Sequence, residues 1–565
     1  MSILNPDAES WFLESINPER LETINAVFHD ACRRHDSKPA FTSLGLTLSY
    51  ADLDRYSAAF GAYLQHAGLK PGDRIAIQLP NVTQYPVVVF GALRAGLVVV
   101  NTNPLYTSHE MKHQFKDSGA KALVILANCA DRAEQILSET EIETVIVTEV
   151  ADMHRPLKRL LINSVVRYVK KLVPDYNLPH ALSLPTVLKQ GAGLSLTEHQ
   201  PQIDDLAVLQ YTGGTTGVAK GAMLSHGNLV ANLLQLRSHF GAHVRPGEEL
   251  FVGPLPLYHI YAFTLHCMLL MNTGNHSLLI PNPRDIDGFV KELAKWRFTG
   301  FAGLNTLFVA LANNPAFQAL DFSPLKFTAS GGMALTTAAA KQWKEVTGST
   351  VIEGYGLTET SPGVTFNKPG FEQIGSIGFA LPYTELKLID DNNQDLPQGE
   401  IGELCVRGPQ VMQGYWHRPE ATADVLSPDG WFRTGDVALI AEDSALRIVD
   451  RKKDMIIVSG FNVYPNEIED VVCTLEGIRE CAAIGVPDDK SGEAVSLYVV
   501  TDNDDLNAEA IRSYCRERLT GYKIPRLIHF CDELPKSNVG KVLRRALRTG
   551  DDDASGKVGS CFNNG

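Results

Sequence analysis

Short apolar runs alternate with helical periodicities through roughly the first 450 residues of the chain. The runs DRIAIQL, ALVILA, TVIVTEV and HSLLIP have the length and composition of buried strands. Segments of helical periodicity separate them, and this alternation predicts an α/β fold of open layers with largely parallel sheets.

The pattern changes near residue 375, where short strands and turn dipeptides follow one another, as in ELKLIDDNN, GELCVRG and LRIVD. It predicts a small antiparallel β-barrel or sheet. After Lys453, the mixed patterns EIEDVVCTL, AVSLYVV and AIRSYCRERL predict a compact α+β unit. We therefore predict a large N-terminal domain over residues 1–452 and a small C-terminal domain over 453–565.

Composition and charge argue against several classes of protein. The most apolar run, YPVVVFGALRAGLVVVN, is short for a membrane span and carries Arg94, so a buried helix and strand are favoured. The start, MSILNPDAESWF, lacks the basic and apolar regions of a cleaved signal peptide. The nine cysteines form no CxxC pair, which is typical of reduced thiols in a cytoplasmic protein. The net charge of −14 argues against a general nucleic-acid-binding surface.

Residues 155–171, RPLKRLLINSVVRYVKK, carry six basic residues and no acid. Beside this cationic face, five apolar residues fall at helical spacing: Leu157, Leu161, Val165, Tyr168 and Leu172. Two interpretations stay open, an ordinary surface helix and a reversible contact with anionic lipid headgroups.

The stretch YTGGTTGVAKG, residues 211–221, combines glycines, hydroxyl side chains and a lysine in a pattern suited to gripping phosphate. It is not the P-loop G-x-x-x-x-G-K-[ST], because Ala219 replaces the second glycine and Gly221 the hydroxyl residue. LAVLQYT before it and KGAMLS after it are both strand-like, and the next helix is predicted to begin after an N-cap at Ser225. The stretch is therefore either a hairpin that clamps a polyphosphate or a merely flexible surface loop.

Further motifs bear on that choice. YGLTETS, residues 355–361, places an aromatic, a threonine and an acid in one turn. A hairpin turning at Asp443–Ser444 puts Asp436 of DGWFRTGD opposite Arg451 of LRIVDRKKD, since both lie equally far from that turn. Such a pair is either an ordinary surface ion pair or a carboxylate that accepts both ribose hydroxyls.

Lys541 in LPKSNVGKVLRR follows an Asn-Val-Gly turn, and this pattern alone is typical of a solvent-exposed surface lysine.

In this fixed order, the motifs resemble those of the adenylate-forming enzymes, which include acyl-CoA synthetases, luciferases and peptide-synthetase adenylation domains. The resemblance is collinear from about Tyr50 to Lys541. The run RIVDRKKDMIIVSGFNVYPNEIE and the motifs LTGYKIP and LPKSNVGKVLRR are most similar to bacterial long-chain fatty acyl-CoA synthetases.

The resemblance implies an ATP-dependent, AMP-forming reaction with Mg²⁺ in two steps. A fatty acid carboxylate attacks the α-phosphorus of ATP, giving acyl-adenylate and diphosphate; the thiol of coenzyme A then gives acyl-CoA and AMP. Residues 1–452 are expected to form the adenylation domain, and a role in fatty acid metabolism and β-oxidation is expected. The implied location is cytoplasmic, with residues 155–172 as the segment for any peripheral contact with inner membrane lipids. A homodimer is kept open, and no nucleic acid partner is expected.

The resemblance also implies the site residues. Glu359 and Thr216 are expected to hold Mg²⁺, and Lys541 to bridge the substrate carboxylate and the α-phosphate. The expected catalytic residues are Lys541, Glu359, Thr358 and His259, although a packed core role explains His259 almost equally well. Gly332, Gly354 and Tyr355 are expected to line the adenine site. The expected ATP contacts are Thr212, Gly213, Gly214, Thr215, Thr216, Gly217, Lys220, Gly332, Gly354, Tyr355, Gly356, Thr358, Asp436, Arg451 and Lys541.

Two further positions belong to a predicted domain movement. Lys453 falls at the family's hinge, where rotation of the C-terminal domain is expected to withdraw Lys541. The same rotation is expected to present the region of Gly460 to the channel for the pantetheine of coenzyme A.

Departures from the family pattern separate the alternatives. Ala219 stands where many members carry proline, and Ile457 stands where luciferases and coumarate-type ligases carry lysine. Ligases for medium-chain or aromatic acids stay open, as does a catalytically silent lipid-binding paralogue. Amino acid activation is disfavoured, because the Phe-Asp pair it uses is absent from Leu257-Tyr258-His259-Ile260.

Overall fold

A computed structural model describes residues 21–212, 219–373, 375–459, 461–488, 491–503, 505–537, 542–549 and 562–563. Its strands are β1 (Pro39–Ser43), β2 (Leu46–Ser49), β3 (Arg74–Gln78), β4 (Val98–Asn101), β5 (Ala120–Leu126), β6 (Thr144–Thr148), β7 (Leu182–Ser183), β8 (Leu206–Thr212), β9 (Lys220–Ser225), β10 (Leu250–Gly253), β11 (His276–Leu279), β12 (Gly300–Gly303), β13 (Phe327–Ser330), β14 (Val351–Gly356), β15 (Gly363–Phe366), β16 (Phe379–Ala380), β17 (Glu385–Ile389), β18 (Ile401–Arg407), β19 (Phe432–Ile440), β20 (Leu446–Arg451), β21 (Ile456–Val458), β22 (Phe461–Val463), β23 (Ile478–Asp488), β24 (Gly492–Thr501), β25 (Leu527–Phe530) and β26 (Phe562–Asn563).

The α-helices span Ile24–Arg34, Tyr50–His66, Gln84–Arg94, Ser108–Ser118, Ala130–Glu134, Pro156–Ser164, Leu184–Gly191, His226–Phe240, Ile260–Ala262, Ile286–Leu293, Asn305–Ala312, Pro315–Gln318, Thr337–Thr347, Pro419–Ala423, Pro465–Val472, Ala508–Arg516 and Arg544–Thr549. Two π-helical segments, Val165–Val169 and Phe263–Leu270, continue the helices before them.

Two large sheets form the N-terminal part of the chain. A seven-stranded sheet has the order β7-β6-β5-β3-β4-β8-β9, and a nine-stranded sheet has the order β16-β15-β14-β13-β12-β10-β11-β1-β2. Their inner strands are parallel, and antiparallel strands occur at the edges. The four runs chosen from the hydrophobic pattern coincide with β3, β5, β6 and β11, so the prediction of largely parallel α/β layers is confirmed.

The most apolar run forms a buried helix and strand, as its length and Arg94 indicated. All residues of the helix Gln84–Arg94 are buried, and β4 follows within the seven-stranded sheet. The positive charge of the buried Arg94 side chain is compensated by ion pairs with Asp54 at 2.9 Å and Glu198 at 2.5 Å. Among the described residues, no helix is long and apolar enough to cross a membrane.

A four-stranded antiparallel sheet, β17-β18-β19-β20, follows the two large sheets, in agreement with the antiparallel expectation. The remaining strands form a six-stranded sheet with the order β22-β21-β24-β25-β26, in which β23 also pairs with β24. Helices Pro465–Val472 and Ala508–Arg516 pack on this sheet, around buried residues such as Ile468 and Ile511. The chain after β20 therefore has the α+β composition that its pattern predicted, although the boundary at residue 453 itself stays a prediction.

The expectation that every cysteine is a reduced thiol is wrong for Cys531, which is disulfide-bonded. The antiparallel pairing of Phe530 with Phe562 brings β26 close to this residue. The spacing of cysteines in the sequence does not predict this contact, because the contact depends on the long-range pairing of β25 with β26.

Candidate active site

The glycine-rich stretch joins two antiparallel strands. Thr212 at the end of β8 pairs with Lys220 at the start of β9, and Tyr211 pairs with Gly221. Ser225 then caps the helix His226–Phe240, and its side chain accepts a hydrogen bond from Asn228 N–H. The predicted hairpin is confirmed, and a P-loop opening a helix is excluded. The intervening Gly213, Gly214, Thr215, Thr216 and Gly217 lie outside the described residues.

Glycines on and before β14 are required by close packing. A side chain at Gly354 would come within 2.1 Å of the Phe366 ring, and one at Gly356 within 2.0 Å of the Pro362 carbonyl oxygen. Gly332 lies just after β13 with φ +86°, a conformation that side-chain-bearing residues rarely adopt. Gly332 and Gly354, which are expected to line the adenine site, and Gly356, an expected ATP contact, therefore also have structural reasons to be glycine.

Tyr355, Asp436 and Arg451 meet in one cluster. The Tyr355 hydroxyl donates a hydrogen bond to Asp436 Oδ2 at 2.5 Å, and Arg451 Nε lies 3.2 Å from Asp436 Oδ1. Burial, followed by the Asp436 charge, raises the pKa of the Tyr355 hydroxyl, which keeps it a neutral donor. The structure thus joins the expected adenine residue to the expected ribose pair, although sequence reasoning did not predict this contact.

The pairing of Asp436 with Arg451 is confirmed, but it arises differently from the expectation. The hairpin closes over residues 441–445, where Ala441 N–H donates to the Ala445 carbonyl. Near this turn Ala438 pairs with Ile448, whereas Val437 pairs with Asp450. The extra residue, Val449, is a β-bulge that shifts the register by one and brings Asp436 opposite Arg451.

Glu359 lies in a short 3₁₀ turn, Thr358–Thr360, directly after β14. Its carboxylate is buried, and Oε1 accepts a hydrogen bond from the Tyr415 hydroxyl at 2.8 Å. The Glu359 carbonyl accepts a further bond from Met412 N–H at 2.8 Å. Burial raises the pKa of Glu359, while the Tyr415 hydroxyl opposes this shift by stabilising the charged form.

Tyr415 is a residue that the sequence motifs missed. Its segment pairs with β9, because Met223 N–H donates to the Gly414 carbonyl and Trp416 N–H donates to the Gly221 carbonyl. Lys220 Nζ lies 5.1 Å from the centre of the Tyr415 ring, within the range of a cation–π contact. Tyr415 therefore connects Lys220 of the β8–β9 hairpin to Glu359. No local pattern signals this role, since it depends on pairing between segments about 190 residues apart.

His259 caps the helix Ile260–Ala262, where its Nδ1 accepts a hydrogen bond from Tyr261 N–H at 3.4 Å. It is partly buried. The neighbouring Tyr261 hydroxyl is buried without a hydrogen-bond partner among the described residues, and its ring lies beside Gly331. A buried hydroxyl without a partner favours a ligand group in this region.

Lys453 lies directly after β20, where the chain enters its C-terminal part. Burial, followed by the charge of Arg451, lowers the pKa of Lys453 to about 8. Nearby, Asn466 N–H donates to Asp450 Oδ2 at 2.9 Å, and the Asn466 side chain donates to the Val449 carbonyl. These bonds attach the helix Pro465–Val472 to β20. Gly460 and Lys541 lie outside the described residues.

Comparison with known proteins agrees with this arrangement. The family profile described as AMP-binding enzyme matches residues 28–416, and the profile of the AMP-binding enzyme C-terminal domain matches residues 467–541. The chain belongs to the AMP-binding enzyme family. Tyr355, Glu359 and Tyr415 lie within the first matched range, whereas Asp436 and Arg451 lie between the two ranges.

Relatives match nearly the whole chain. The long-chain-fatty-acid–CoA ligase of Salmonella typhimurium is 52% identical over 545 residues, which are 96% of this chain and 96% of that relative. The protein of the same name from Haemophilus influenzae is 49% identical over 549 residues, 96% and 97% of the two chains. Feruloyl-CoA synthase of an Amycolatopsis species is 33% identical over 522 residues, 91% and 97% of the two chains.

Solved structures share the fold. ATP-bound MatB from Rhodopseudomonas palustris superposes with a TM-score of 0.78 at 30% identity, covering 94% of this chain and 99% of that chain. Anthranilate CoA ligase AuaEII in complex with anthranoyl-AMP superposes with a TM-score of 0.82 at 23% identity, covering 94% and 97%. The second similarity concerns the fold alone.

Proposed function

We propose that this chain is a long-chain fatty acid–CoA ligase. It forms acyl-adenylate and diphosphate from a fatty acid and ATP, and then acyl-CoA and AMP with coenzyme A, as a supply step for β-oxidation. The observation that supports this proposal most strongly is the near full-length similarity to the relatives of that name in Salmonella and Haemophilus. The clustering of Tyr355, Asp436 and Arg451 next to the turn of Glu359 supports the nucleotide half of this chemistry.

The site's own residues position the nucleotide. Asp436 accepts the two ribose hydroxyls while Arg451 and the Tyr355 hydroxyl fix its carboxylate. Thr212 and Lys220, which pair at the two ends of the hairpin, bind the β- and γ-phosphates together with Gly213, Gly214, Thr215, Thr216 and Gly217. Thr358 contacts the α-phosphate, and His259 lies beside the acyl-adenylate. Such positioning is the main requirement for substitution at phosphorus.

The residues near Glu359 fit a magnesium ion. The described residues contain no group of three or more His, Cys, Asp or Glu side chains arranged to hold a metal. A single buried carboxylate suits Mg²⁺, which commonly takes one or two carboxylates and completes its shell with substrate phosphates. Glu359, with Thr216, would hold it, because the two carboxylate oxygens of Glu359 offer acceptor positions beyond the one that the Tyr415 hydroxyl occupies. When bound, the ion neutralises charge on the ATP phosphates.

Lys541 and a hinge at Lys453 separate adenylation from thioester formation. Lys541 bridges the fatty acid carboxylate and the α-phosphate during adenylation. Rotation of residues 453–565 about Lys453 then withdraws Lys541 and presents the region of Gly460 to the pantetheine of coenzyme A. The position of Lys453 directly after β20 supports this assignment.

We also propose that residues 155–172 contact the anionic cytoplasmic face of the inner membrane. The segment forms the helix Pro156–Ser164 and a π-helical continuation, anchored to the protein by buried Asn163 and by the Arg167–Glu149 ion pair. Its apolar stripe faces solvent instead of the core: exposed fractions are 73% for Leu157, 65% for Leu160, 59% for Leu161, 43% for Val165, 71% for Tyr168, 73% for Val169 and 54% for Leu172. Apolar residues beside a cationic face suit an interfacial helix.

The enzymatic proposal is tested by ATP–diphosphate exchange across octanoate, palmitate, oleate, benzoate and coumarate, followed by thioester formation with coenzyme A. Palmitate and oleate are expected to support the fastest exchange. Faster exchange with octanoate or an aromatic acid would favour one of the alternative ligases. Palmitate binding without exchange would identify a silent lipid-binding paralogue.

The membrane proposal is tested by flotation with vesicles containing anionic or only zwitterionic lipids. Leu161→Glu and Lys170→Glu are expected to reduce flotation with anionic vesicles, whereas Lys341→Glu, at an exposed lysine of the helix Thr337–Thr347, is not. Binding that high salt leaves unchanged would argue against an electrostatic contact. A homodimer stays a separate prediction, which sedimentation of the full chain tests.

A further inference from the structure

A surface cavity of about 460 Å³ lies beside the helix Ser108–Ser118. It is lined by His109, Lys112, His113, Lys116, Asp117 and Arg418. None of these residues was assigned to nucleotide, metal or acyl binding above. The volume lies in the range of small-molecule sites, which are commonly about 300–1,000 Å³.

Four cationic or imidazole side chains share one face of this helix. His109, Lys112, His113 and Lys116 are spaced as i, i+3, i+4 and i+7, so they stack along the helix. Lys112 and Lys116 are like charges four residues apart, an arrangement that destabilises a helix unless an anion lies between them. The helix itself is well formed, with a capping box between Thr107 and Glu110 at its N-terminus.

The acids around the cavity are already paired. Asp117 accepts hydrogen bonds from Arg418 at 2.6 Å and from the Tyr211 hydroxyl at 2.8 Å. Glu139 forms an ion pair with Lys112 at 2.5 Å. Lys116 forms no ion pair within the part of the chain that the structure describes, although the Glu139 carboxylate that pairs with Lys112 also interacts electrostatically with Lys116. The cavity therefore offers N–H donors without an unpaired carboxylate to repel an anion.

Contacts place the cavity next to the β8–β9 hairpin. His113 Nε2–H donates a hydrogen bond to the Ala219 carbonyl at 3.1 Å, one residue before Lys220 and β9. Two residues before Arg418, Trp416 N–H donates to the Gly221 carbonyl, and the Trp416 ring donates from Nε1 to the Asp117 carbonyl. His113 of the lining and the segment that leads to Arg418 are thus both hydrogen-bonded to the start of β9 or the residue before it.

We propose that this cavity is a second anion site, which binds a phosphate dianion through Lys116, Lys112, His109 and Arg418. The same chemistry has two sources, free phosphate or diphosphate in solution and the 3′-phosphate of coenzyme A. A dianion between the two lysines relieves their repulsion and adds charge-assisted hydrogen bonds. The site goes beyond the proposed function, because phosphate binding here requires no fatty acid and no turnover.

The test uses the full chain with its ATP site filled by a non-hydrolysable ATP analogue. Inorganic phosphate and diphosphate are titrated calorimetrically at constant ionic strength. Saturable binding is expected, and Lys116→Glu is expected to weaken it about tenfold, the effect of roughly one lost charge contact. Lys341→Glu, another exposed helix lysine, is the matched control and is expected to leave binding unchanged.

A milder variant, Lys116→Gln, tests the same contact if Lys116→Glu disturbs the helix, and circular dichroism verifies the fold of each. Absence of saturable phosphate binding in the native chain would overturn the proposal. Equal affinities for Lys116→Gln and Lys341→Glu would also overturn it. Loss of fatty-acid-dependent exchange is a separate outcome, since these titrations contain no fatty acid.

The source of the dianion is determined by competition. Coenzyme A and 3′-dephospho-coenzyme A are each added to the phosphate-loaded chain. Displacement of phosphate by coenzyme A alone identifies the 3′-phosphate as the ligand group. Displacement by diphosphate but by neither coenzyme identifies free phosphate chemistry, and both results support a dianion site.

Discussion

The Tyr415 hydroxyl donates a hydrogen bond to Glu359 Oε1 at 2.8 Å, and both side chains are buried. Tyr415→Phe keeps the ring against Lys220 but removes this bond. A hydrogen bond to a charged group is worth about 1.5–3 kcal/mol, so we expect about tenfold slower ATP–diphosphate exchange at limiting Mg²⁺. The loss is expected to shrink at saturating Mg²⁺, because the metal then orients the carboxylate.

Tyr50→Phe is the matched control for this prediction. The Tyr50 hydroxyl is also buried and donates to the Asn275 carbonyl at 2.8 Å, but it touches none of the assigned site residues. It is expected to lower stability without changing the Mg²⁺ dependence. An unchanged Mg²⁺ dependence in Tyr415→Phe would show that Glu359 is oriented without Tyr415.

The Asp436 carboxylate is predicted to bind ribose. Asp436→Asn retains the size of the side chain but removes the charge that Arg451 and Tyr355 hold in place. We expect the KM for ATP to rise by about tenfold or more, and the KM for 2′,3′-dideoxy-ATP to change little, because that analogue lacks both hydroxyls. Asp395→Asn, at an exposed acid near the same sheet, is the control. Equal effects on both nucleotides would contradict ribose binding.

Lys541 is predicted to act in only one half-reaction. Lys541→Ala is expected to slow adenylation by at least about a hundredfold, as expected when a charge-stabilising donor is removed. Conversion of preformed acyl-adenylate to acyl-CoA is expected to change far less. Lys536→Ala is the control, because it removes an ion pair with Glu480 in the same region and reports any effect of local structural change on either half-reaction. Similar losses in both half-reactions would refute the assigned role.

Glu353 on β14 gives a pH-dependent prediction. Burial raises its carboxyl pKa from 4.5 to about 7, and the Asp470 charge adds to the shift, so the folded chain retains a proton that the unfolded chain has lost in that interval. The contribution of Glu353 to the free energy of unfolding therefore falls as pH rises from about 4.5 to about 7. Glu353→Gln mimics the protonated form and is expected to raise the free energy of unfolding by up to about 3 kcal/mol near pH 8 and by little near pH 5.

Thermal unfolding of both proteins across this pH range measures the difference. Glu345→Gln, at an exposed glutamate on the helix Thr337–Thr347, serves as the control and is expected to show no such pH dependence. A stability difference that does not vary with pH would contradict a buried proton on Glu353.

Local patterns were sufficient for the main elements of the fold. The strands at DRIAIQL and TVIVTEV, the buried helix before β4 and the cap at Ser225 follow from burial, hydrophobic period and backbone hydrogen bonding within a few residues. The antiparallel pairing of Asp436 with Arg451 was also predictable, although its register depends on a bulge at Val449. A bulge is difficult to predict because one extra residue barely changes the hydrophobic pattern.

The sequence by itself determined the layered α/β class, the hairpin form of the phosphate stretch and most of the residues proposed to bind ATP. Only the tertiary structure decided that Tyr355 binds Asp436, that Tyr415 binds Glu359, and that His113 approaches Ala219. These contacts join segments that are distant in the chain, and their geometry depends on strand pairing and side-chain packing. Local periodicity carries no information about them, because each partner's own neighbourhood is compatible with many long-range arrangements.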